Sequence, residues 1–85
     1  MNFIREKSRI YYKNEEGKIV AEITYKEVEN GLFNIEHTFV DESLRGQGIA
    51  SKLVDEAIKE IKNKDGKIMA TCSYAKKWLE KNKNV

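Results

Sequence analysis

The spacing of the apolar residues changes once along this chain, and that change constrains the fold more than any other feature. Up to about residue 40, apolar side chains alternate with polar ones, which is the period of a strand that buries one face. Beyond residue 46 they recur at every third or fourth position, as on an amphipathic helix. Together the two patterns predict a sheet that buries one face beneath a helix.

Three strands are predicted before the period changes. An edge strand covers residues 3–13, and the charged residues near 6–8 could interrupt it. The second strand follows a turn at residues 14–17, and its apolar face comprises Ile19, Ala21, Ile23 and Tyr25. After an Asn-Gly turn at residues 29–31, the third strand runs over about 32–40, with one face formed by Phe33, Ile35, His37 and Phe39. The simplest arrangement of these strands is an antiparallel meander.

The second half of the chain predicts a helix, a strand and a final helix. The first helix covers about 46–63 and is followed by Gly66, a candidate left-handed cap or turn residue. The strand over residues 67–72 has one face formed by Ile68, Ala70 and Cys72. The final helix covers about 74–82 and buries Trp78 and Leu79. The predicted fold class is therefore α/β (α+β), with the order β-β-β-α-β-α.

The two strands that flank the first helix should be parallel, because the helix crosses from the end of one to the start of the other. Parallel strands end at the same edge of a sheet, where open α/β sheets bind their ligands. His37 and Val40 lie near the end of one strand, Cys72 ends the other, and residues 44–51 lead off between them. We therefore expect these features to meet at one edge.

Residues 45–50 place two glycines, after an arginine, at the start of the first helix. The first amides of a helix have no partner within it, and glycines allow an anion to approach the backbone closely. The spacing lacks both the third glycine of a dinucleotide-binding fingerprint and the Lys-Ser/Thr pair of a P-loop. Two interpretations are open here: an anion-binding loop, or a flexible helix start capped by Asp41 or Ser43.

Length, charge and cysteine content narrow the class of protein. With 85 residues the chain is expected to form a single domain, residues 1–85, with a small core. Its formal charge of +2, from 16 basic and 14 acidic residues spread along the chain, argues against binding to duplex nucleic acid, for which basic residues should cluster on one face. One cysteine excludes an internal disulfide. No segment is apolar enough to span a membrane, so no membrane association is expected. A cytoplasmic location is expected because the chain has only one cysteine. No metal site is expected.

The stretch Arg45-Gly46-Gln47-Gly48-Ile49-Ala50 resembles the Q/R-x-x-G-x-G/A signature of the GNAT acetyltransferase superfamily. Residues 36–40, 44–50 and 72–74 together resemble a narrower group of minimal, single-domain GNAT-like proteins, the N-acetyltransferase domain-containing protein 1 group. This resemblance covers most of the chain from Val20 onward and implies a GNAT-like fold that binds acetyl-CoA. The chain departs from the pattern because it lacks the prolines common before the Leu-Arg-Gly run. It also lacks the N-terminal helices with which larger members cover the acceptor site.

The resemblance also implies which residues bind the cofactor. Backbone groups of residues 38–40 would pair with the pantetheine arm as an added strand, and the amides of residues 45–50 would bind the pyrophosphate. The implied cofactor site comprises Thr38, Phe39, Val40, Arg45, Gly46, Gln47, Gly48, Ile49, Ala50, Ser51, Ser73 and Tyr74. Lys52 and the lysines of the final helix could contact the phosphates of the cofactor or simply be solvated.

His37 and Cys72 are the candidates for chemistry. His37, the only histidine, is either a core residue or the general base that deprotonates an amine. Cys72 is either a packing residue or a reacting group that protonates the departing coenzyme A or carries the acetyl group itself. The start of the final helix, with His37, could lower the pKa of this thiol. Tyr74 is an alternative proton donor, or it packs beside Trp78 in the core.

The predicted function follows from the resemblance and from these residues. The chain is expected to be an acetyl-CoA-dependent N-acetyltransferase that transfers an acetyl group to an amine acceptor, which the sequence does not identify. The alternatives are a non-catalytic acyl-CoA-binding module and, more distantly, a phosphate- or RNA-binding domain that uses the same loop. A monomer or a weak homodimer is expected, because so small a core could gain from a partner.

Overall fold

A computed structural model describes residues 2–82 and divides them into five strands, a 3₁₀ turn and two α-helices. In chain order these are β1 (Ile4–Glu6), β2 (Arg9–Lys13), β3 (Ile19–Glu29), β4 (Leu32–Val40), the 3₁₀ turn (Glu42–Leu44), α1 (Ile49–Asn63), β5 (Lys67–Ala70) and α2 (Ser73–Lys81). The predicted α+β class is confirmed. The edge strand predicted over residues 3–13 is interrupted near residues 6–8, where the charged residues indicated a break, because a turn at residues 7–8 folds it into the hairpin β1–β2.

The five strands form one sheet in the order β1-β2-β3-β4-β5. The first four are antiparallel neighbours, as expected of a meander. β5 pairs with β4 in parallel, from Leu32 opposite Lys67 to Ile35 opposite Ala70. The predicted crossover is therefore confirmed, and α1 connects the two parallel strands.

Both α-helices pack on the same face of the sheet. Strand residues such as Ile23 and Ile35 are fully buried against Leu53 of α1. α2 contributes Ala75 to the same core, and its Trp78 donates a hydrogen bond from Nε1 to Ser51 Oγ of α1 at 2.8 Å. The molecule therefore has two layers, and within residues 2–82 no helix covers the opposite face of the sheet, which we call the open face. Neither α-helix of this part of the chain is long and apolar enough to cross a membrane.

A bulge in β4 changes which side chains face the core. Thr24 of β3 pairs with His37, whereas the next residue, Tyr25, pairs with Ile35, so Glu36 has no partner on β3. One extra residue on a strand reverses the alternation of its side chains beyond that point. The predicted shared face of Phe33, Ile35, His37 and Phe39 is therefore wrong for its second half. His37 and Phe39 are exposed, the latter by 40%, on the open face.

The ends of α1 also differ from the prediction. The helix begins at Ile49 rather than at residue 46, because Gly46 and Gly48 both adopt left-handed backbone angles, with φ of 81° and 70°. At its C-terminal end the left-handed residue is Asp65, with φ of 57°, and not Gly66. Of the two predicted roles of Gly66, the left-handed cap is wrong, whereas the turn residue is confirmed, since its amide bonds to the Ile61 carbonyl. The small size of Gly66 has a separate cause. A Cβ atom at this position would lie only 2.7 Å from the Phe33 ring.

β5 ends two residues earlier than predicted, and this changes the position of Cys72. The strand stops at Ala70, and α2 begins at Ser73, one residue before its predicted start. Cys72 is therefore not a strand residue but the residue that precedes the first turn of α2. Because the first amides of a helix lack intrahelical partners, a side chain at this point lies close to several N–H donors.

Candidate functional site

β4 and β5 separate halfway along β4, and a gap opens between them. The Ile35 carbonyl oxygen is the last point of contact, where it accepts hydrogen bonds from the amides of Thr71 and Cys72 at 3.1 and 3.2 Å. Beyond it no strand of residues 2–82 pairs with the edge of residues 36–40 that faces β5. An unpaired strand edge offers backbone donors and acceptors to an extended ligand. Residues 38–40, for which a pantetheine contact is predicted, lie along this unpaired edge.

A hydrogen-bonded pair of the buried Asn34 and the exposed Thr71 fixes the point where the strands separate. Asn34, only 8% exposed, donates from Nδ2 to Thr71 Oγ1 at 3.0 Å. The Thr71 amide donates back to Asn34 Oδ1, also at 3.0 Å. Because a buried amide side chain is costly without its partners, this reciprocal pair holds the chain after β5 against β4. Sequence reasoning missed both residues, since a single Asn in a strand carries no signal of its partner.

The loop before α1 leaves a run of amides without partners. From Gly46 to Ser51 no amide donates a hydrogen bond to any residue of the described chain, and the first bond of the helix runs from the Lys52 amide to the Gly48 carbonyl at 3.1 Å. Gly48, as the residue that caps the helix, has no side chain to satisfy them. Amides at the positive end of a helix dipole form an anion-binding site.

The predicted capping of α1 by Asp41 or Ser43 is wrong, which strengthens the anion-site interpretation. Asp41 instead caps the 3₁₀ turn, where its Oδ2 accepts bonds from both the hydroxyl and the amide of Ser43, at 2.7 and 3.0 Å. These two donors hold the pKa of the Asp41 carboxyl below its ordinary value. The turn thus directs the chain into the loop without using the amides of α1.

An open depression of about 180 Å³ lies beside these amides. Its walls are Val40, Leu44, Arg45, Gly46, Gly48, Ile49, Ala50 and Tyr74. Arg45 is 76% exposed and makes only a long ion pair with Glu42, at 3.7 Å, so its guanidinium can turn toward a bound anion. Most of the loop residues predicted to bind the cofactor therefore do lie together, with Tyr74 of α2 beside them.

The remaining predicted binding residues lie outside the depression. Gln47 and Ser73 are exposed. Ser51 uses its hydroxyl to accept the bond from Trp78, and Phe39 lies on the open face. Thr38 points toward the core side and contacts Cys72. Their predicted contacts with the cofactor could still come from backbone groups.

Cys72 lies in the gap with its sulfur near donors. Its Sγ is 3.5 Å from Thr38 Oγ1, and the residue is half-buried. Burial by itself raises the pKa of the Cys72 thiol, but the Thr38 hydroxyl and the backbone amides of Ala75, Tyr74 and Thr38 outweigh it, so that the pKa is lowered. The predicted influence of the start of the final helix is present. His37 is not among the groups that shift this pKa.

His37 and Cys72 lie on opposite faces of the sheet. Thr38 pairs with the buried Ile23, so Cys72 approaches β4 from the helix side. His37 pairs with Thr24 and is exposed on the open face. The interpretation of His37 as a core residue is therefore wrong. The two candidate residues flank the gap from either side and do not form a pair.

A larger cavity on the open face contains a residue that sequence reasoning missed. It measures about 560 Å³, and its lining includes Thr24 and Lys26 of β3 and the bulge residue Glu36. Glu36 makes only a long ion pair with Lys26, at 3.9 Å. Glu36 adjoins His37 in the chain, so its carboxylate is a second candidate for the predicted role of general base. Glu36 has this position because of the bulge, and β4 contains no glycine from which the bulge could have been predicted. No cluster of three potential metal ligands occurs in residues 2–82.

Comparison with known proteins gives consistent matches over this fold. A family model described as GCN5-related N-acetyl-transferase matches residues 9–85. Protein NATD1 from Homo sapiens is 32% identical over 62 residues, which cover 73% of this chain and 55% of that protein. The matched stretch thus spans little more than half of the length of that relative.

Solved structures share the architecture. The solution structure of a GCN5-like protein from Staphylococcus aureus superposes with a TM-score of 0.81 at 36% identity, covering 98% of this chain and 81% of that one. YhbS from Escherichia coli, a GNAT family N-acetyltransferase determined in complex with CoA, superposes with a TM-score of 0.61 at 22% identity, covering 73% and 38%. The second likeness supports the fold alone. The chain belongs to the GCN5-related N-acetyltransferase (GNAT) family.

Proposed function

We propose that this protein is an acetyl-CoA-dependent N-acetyltransferase that transfers the acetyl group to an amine. One observation carries the proposal: the run of partnerless amides from Gly46 to Ser51 lies at the end of β4, beside the edge that β5 leaves unpaired. An anion site next to an open strand edge fits a ligand that joins a diphosphate to an extended amide chain. Coenzyme A has this chemistry, and membership of the GNAT family supports the same assignment.

The loop and the gap would divide the binding of the cofactor. The amides before and within the first turn of α1, with Arg45, hold the diphosphate by charge-assisted hydrogen bonds. The edge of residues 38–40 pairs with the amides of the pantetheine arm. In this arrangement the thioester would lie at the bulge, where the strands separate and where Cys72 and His37 approach from opposite faces.

The bound thioester supplies an activated acetyl group. The residues of the chain remove protons from the amine and protonate the leaving thiolate. An alkylammonium with a pKa of about 10.4 is only about one part in a thousand neutral near pH 7. His37 on the open face passes this proton to solvent, and it then accepts the second N–H proton once the neutral amine has attacked the carbonyl carbon. The new N–C bond forms and the C–S bond breaks. The departing thiolate takes its proton from Cys72, whose lowered pKa makes it a better donor.

The same arrangement favours direct transfer over a covalent acetyl-cysteine. A nucleophilic cysteine is usually activated by an adjacent base, and His37 lies on the other face of the sheet from the Cys72 sulfur. Intact mass after incubation with acetyl-CoA tests this directly. We expect no acetylated Cys72 in the wild-type protein.

A second candidate function is a module that binds acyl-CoA without turnover. The observation that favours it is the open face, on which no helix of residues 2–82 forms a wall for the acceptor. Such a module would retain the loop and the gap but would not need His37.

Two measurements test the proposal in sequence. Acetyl-CoA at about 100 times its dissociation constant should stabilise the fold by about 2.7 kcal/mol. For a domain of this size this raises the melting temperature by roughly ten degrees or more. No shift with acetyl-CoA or CoA would contradict both candidate functions. If the shift occurs, release of CoA in the presence of a panel of amines separates the enzyme from the binding module.

Variants at the reacting residues complete the test. His37→Ala should lower the rate of CoA release by about 10²-fold or more, because general base catalysis typically contributes this much. Cys72→Ala should also slow release, whereas both variants should retain the thermal shift with acetyl-CoA. Turnover equal to that of the wild type in both would remove these catalytic roles and leave the cofactor site in place.

A further inference from the structure

The cavity on the open face continues around the turn of the β1–β2 hairpin into a second cavity. The first measures about 560 Å³ and reaches Glu36 at the bulge. The second measures about 260 Å³ and reaches Lys64 at the end of α1. Phe33 also lines the second cavity, and from Glu36 to Phe33 the strand β4 extends about 10 Å. Four residues line both cavities, so the two form one groove, which we call the hairpin groove: Lys7, Ser8, Tyr25 and Lys26.

The hairpin turn at the middle of this groove is anchored on both sides. Arg5 of β1 donates to the carboxylates of Glu56 and Glu60 of α1, at 2.5 and 3.0 Å, and so connects the hairpin to the helix. The Ser8 carbonyl accepts a hydrogen bond from the Tyr25 amide at 3.0 Å, which connects the turn to β3. Because the backbone of the turn is held in this way, a ligand that binds there has only side chains to order.

The end of the hairpin groove beside α1 carries excess positive charge. Three lysines and one carboxylate line the second cavity, namely Lys7, Lys26, Lys64 and Glu27. The Glu27 carboxylate accepts a hydrogen bond from the Gly31 amide at 2.8 Å. Lys7 and Lys64 form no ion pair with any residue from 2 to 82. An anionic group at this end would therefore meet two ammonium groups that no carboxylate of the described residues neutralises.

The end of the hairpin groove at the bulge has the opposite character. The Glu36 carboxylate lies there and makes a long ion pair with Lys26, at 3.9 Å. Arg9, which also lines the first cavity, already donates to the carboxylates of Glu6 and Glu22 at 2.6 and 2.8 Å. An ammonium group is therefore favoured near the bulge. The two ends together suit a molecule with an amine at one end and an anionic group at the other.

We propose that the hairpin groove selects acceptor amines that carry an anionic group about 10 Å from the amine. This inference rests on the proposed function and names the class of its acceptor. The anionic group lies between Lys7 and Lys64, and the amine lies at the bulge beside Glu36. Two kinds of molecule supply this chemistry: a free ω-amino acid, and a peptide in which an acidic residue follows a lysine.

The expected preference is modest, because both lysines are exposed. Two exposed ion pairs should favour ω-aminooctanoate over its uncharged amide, ω-aminooctanamide, by roughly fivefold in kcat/KM at low salt. The contacts are remote from the reacting atoms and are equal in the ground state and the transition state. The difference should therefore lie in KM, with kcat unchanged. It should also fall as the salt concentration rises.

The test measures CoA release with two matched pairs of amines for three proteins. The first pair is ω-aminooctanoate and ω-aminooctanamide, and the second is a peptide whose internal lysine is followed two residues later by Glu or by Gln. The wild type should prefer the charged member, and the pair that shows the preference identifies the source of the anionic group. The double variant Lys7→Gln/Lys64→Gln should lose the preference. The control Lys18→Gln/Lys62→Gln removes the same charge from exposed positions outside the groove and should keep it.

A binding measurement without turnover separates this inference from the proposed function. In the absence of acetyl-CoA, ω-aminooctanoate should shift the amide NMR signals of Lys7, Ser8 and Lys64 more than ω-aminooctanamide does. Equal kcat/KM values within both pairs of amines would overturn the inference and leave the proposed function standing. The same follows if both double variants lose the preference equally, since the effect would then be one of net charge. If these signals shift while no amine releases CoA, the enzyme proposal falls and the charge preference of the groove stands. Without either effect, both fall.

Discussion

Thr38 determines the chemistry of Cys72 more directly than any other side chain near it. Its hydroxyl lies 3.5 Å from the sulfur and, with the amides at the start of α2, lowers the pKa of the thiol against the effect of burial. Because the pKa is lowered on folding, the thiolate stabilises the folded state at high pH. This contribution disappears as the pH falls through the folded pKa. The reactivity of Cys72 therefore reports on Thr38.

Replacing Thr38 should change the pH profile of cysteine alkylation. Thr38→Val removes the hydroxyl at nearly constant volume, so the pKa of Cys72 should rise and alkylation by iodoacetamide near neutral pH should slow. Thr38→Ser retains the hydroxyl and should behave like the wild type. The measurement is unambiguous because Cys72 is the only cysteine. A profile unchanged in Thr38→Val would show that the helix amides alone set this pKa.

The environments of single residues were the least predictable part of the site. The sequence placed His37 and Cys72 at the same edge of the sheet, and the structure agrees with that coarse placement. It could not show that Glu36 forms a bulge, because such a bulge depends on the register with β3 rather than on the composition of β4. One inserted residue moved His37 from the expected core face to the open face. The pairing of Asn34 with Thr71 was hidden for the same reason, since it spans 37 positions.

At the scale of whole elements, the two ends of α1 perform different tasks. The N-terminal end leaves its amides without partners, whereas the C-terminal end satisfies its last carbonyl groups locally. The Gly66 amide donates to the Ile61 carbonyl at 3.0 Å, and the Asp65 amide donates to the Lys62 carbonyl at 2.9 Å. This is the Schellman pattern of a helix that ends at a left-handed residue. One end of α1 is thus available for binding and the other for stability.

A carboxylate in the first turn of α1 should affect stability and binding in opposite directions. Ala50→Glu places negative charge at the positive end of the helix dipole, which should stabilise the fold by about 0.3–1 kcal/mol. The same charge should repel the diphosphate and weaken the binding of CoA. Urea unfolding and calorimetry measure the two effects. Ala50→Gln is the uncharged control, and a variant Ala50→Glu that binds CoA as well as this control would argue against the anion site.

At the other end of α1, substitutions of two adjacent residues should have effects of opposite sign. Asp65→Gly relieves a left-handed backbone and should raise the free energy of unfolding by about 0.5–1 kcal/mol. Gly66→Ala forces a Cβ atom against Phe33 and Ile61 and should lower it by about 1–3 kcal/mol. Urea denaturation with a constant m-value provides the measurement. If Gly66→Ala were neutral, the close packing of Phe33 on this turn would be in error.

The elements themselves were largely predictable, and the reason is their periodicity. The amphipathic pattern from Ile49 to Ile61 and the alternation in β3 each extend over several turns or residue pairs, so local exceptions do not obscure them. The parallel crossover followed from the strand–helix–strand order. Short elements were less predictable: the charged positions near 6–8 indicated an interruption of the strand over residues 3–13, but they are too weak a signal to show that the two parts pair as a hairpin.

At the scale of the whole molecule, the two layers leave one side of the sheet accessible. Both helices lie on the face that carries the loop and Cys72, whereas His37 and the cavity with Glu36 are on the open face. The proposed cofactor and the proposed acceptor would therefore reach the bulge from different directions. The acceptor side has no wall from residues 2–82 that would limit the size of an amine.

This openness leads to a prediction about acceptors. If the enzyme is active, a small primary amine and a lysine within a peptide should both be acetylated, with kcat/KM values within roughly an order of magnitude of each other. The physical reason is that a shallow, open cavity provides few contacts that discriminate between them. Mass spectrometry of the products and CoA release provide the measurement, with His37→Ala as the control in both reactions. Strict selection of one small amine would instead indicate a closed acceptor site.

The hydrogen bond between Trp78 and Ser51 has an optical consequence. The indole is the only one in the chain, and its N–H contacts the first turn of α1, next to the amides proposed to hold the diphosphate. A negative charge that arrives there changes the electric field at the ring and the polarity around it. The emission of this single tryptophan therefore provides an intrinsic, label-free signal of occupancy, with which titrations can be followed in the unmodified protein.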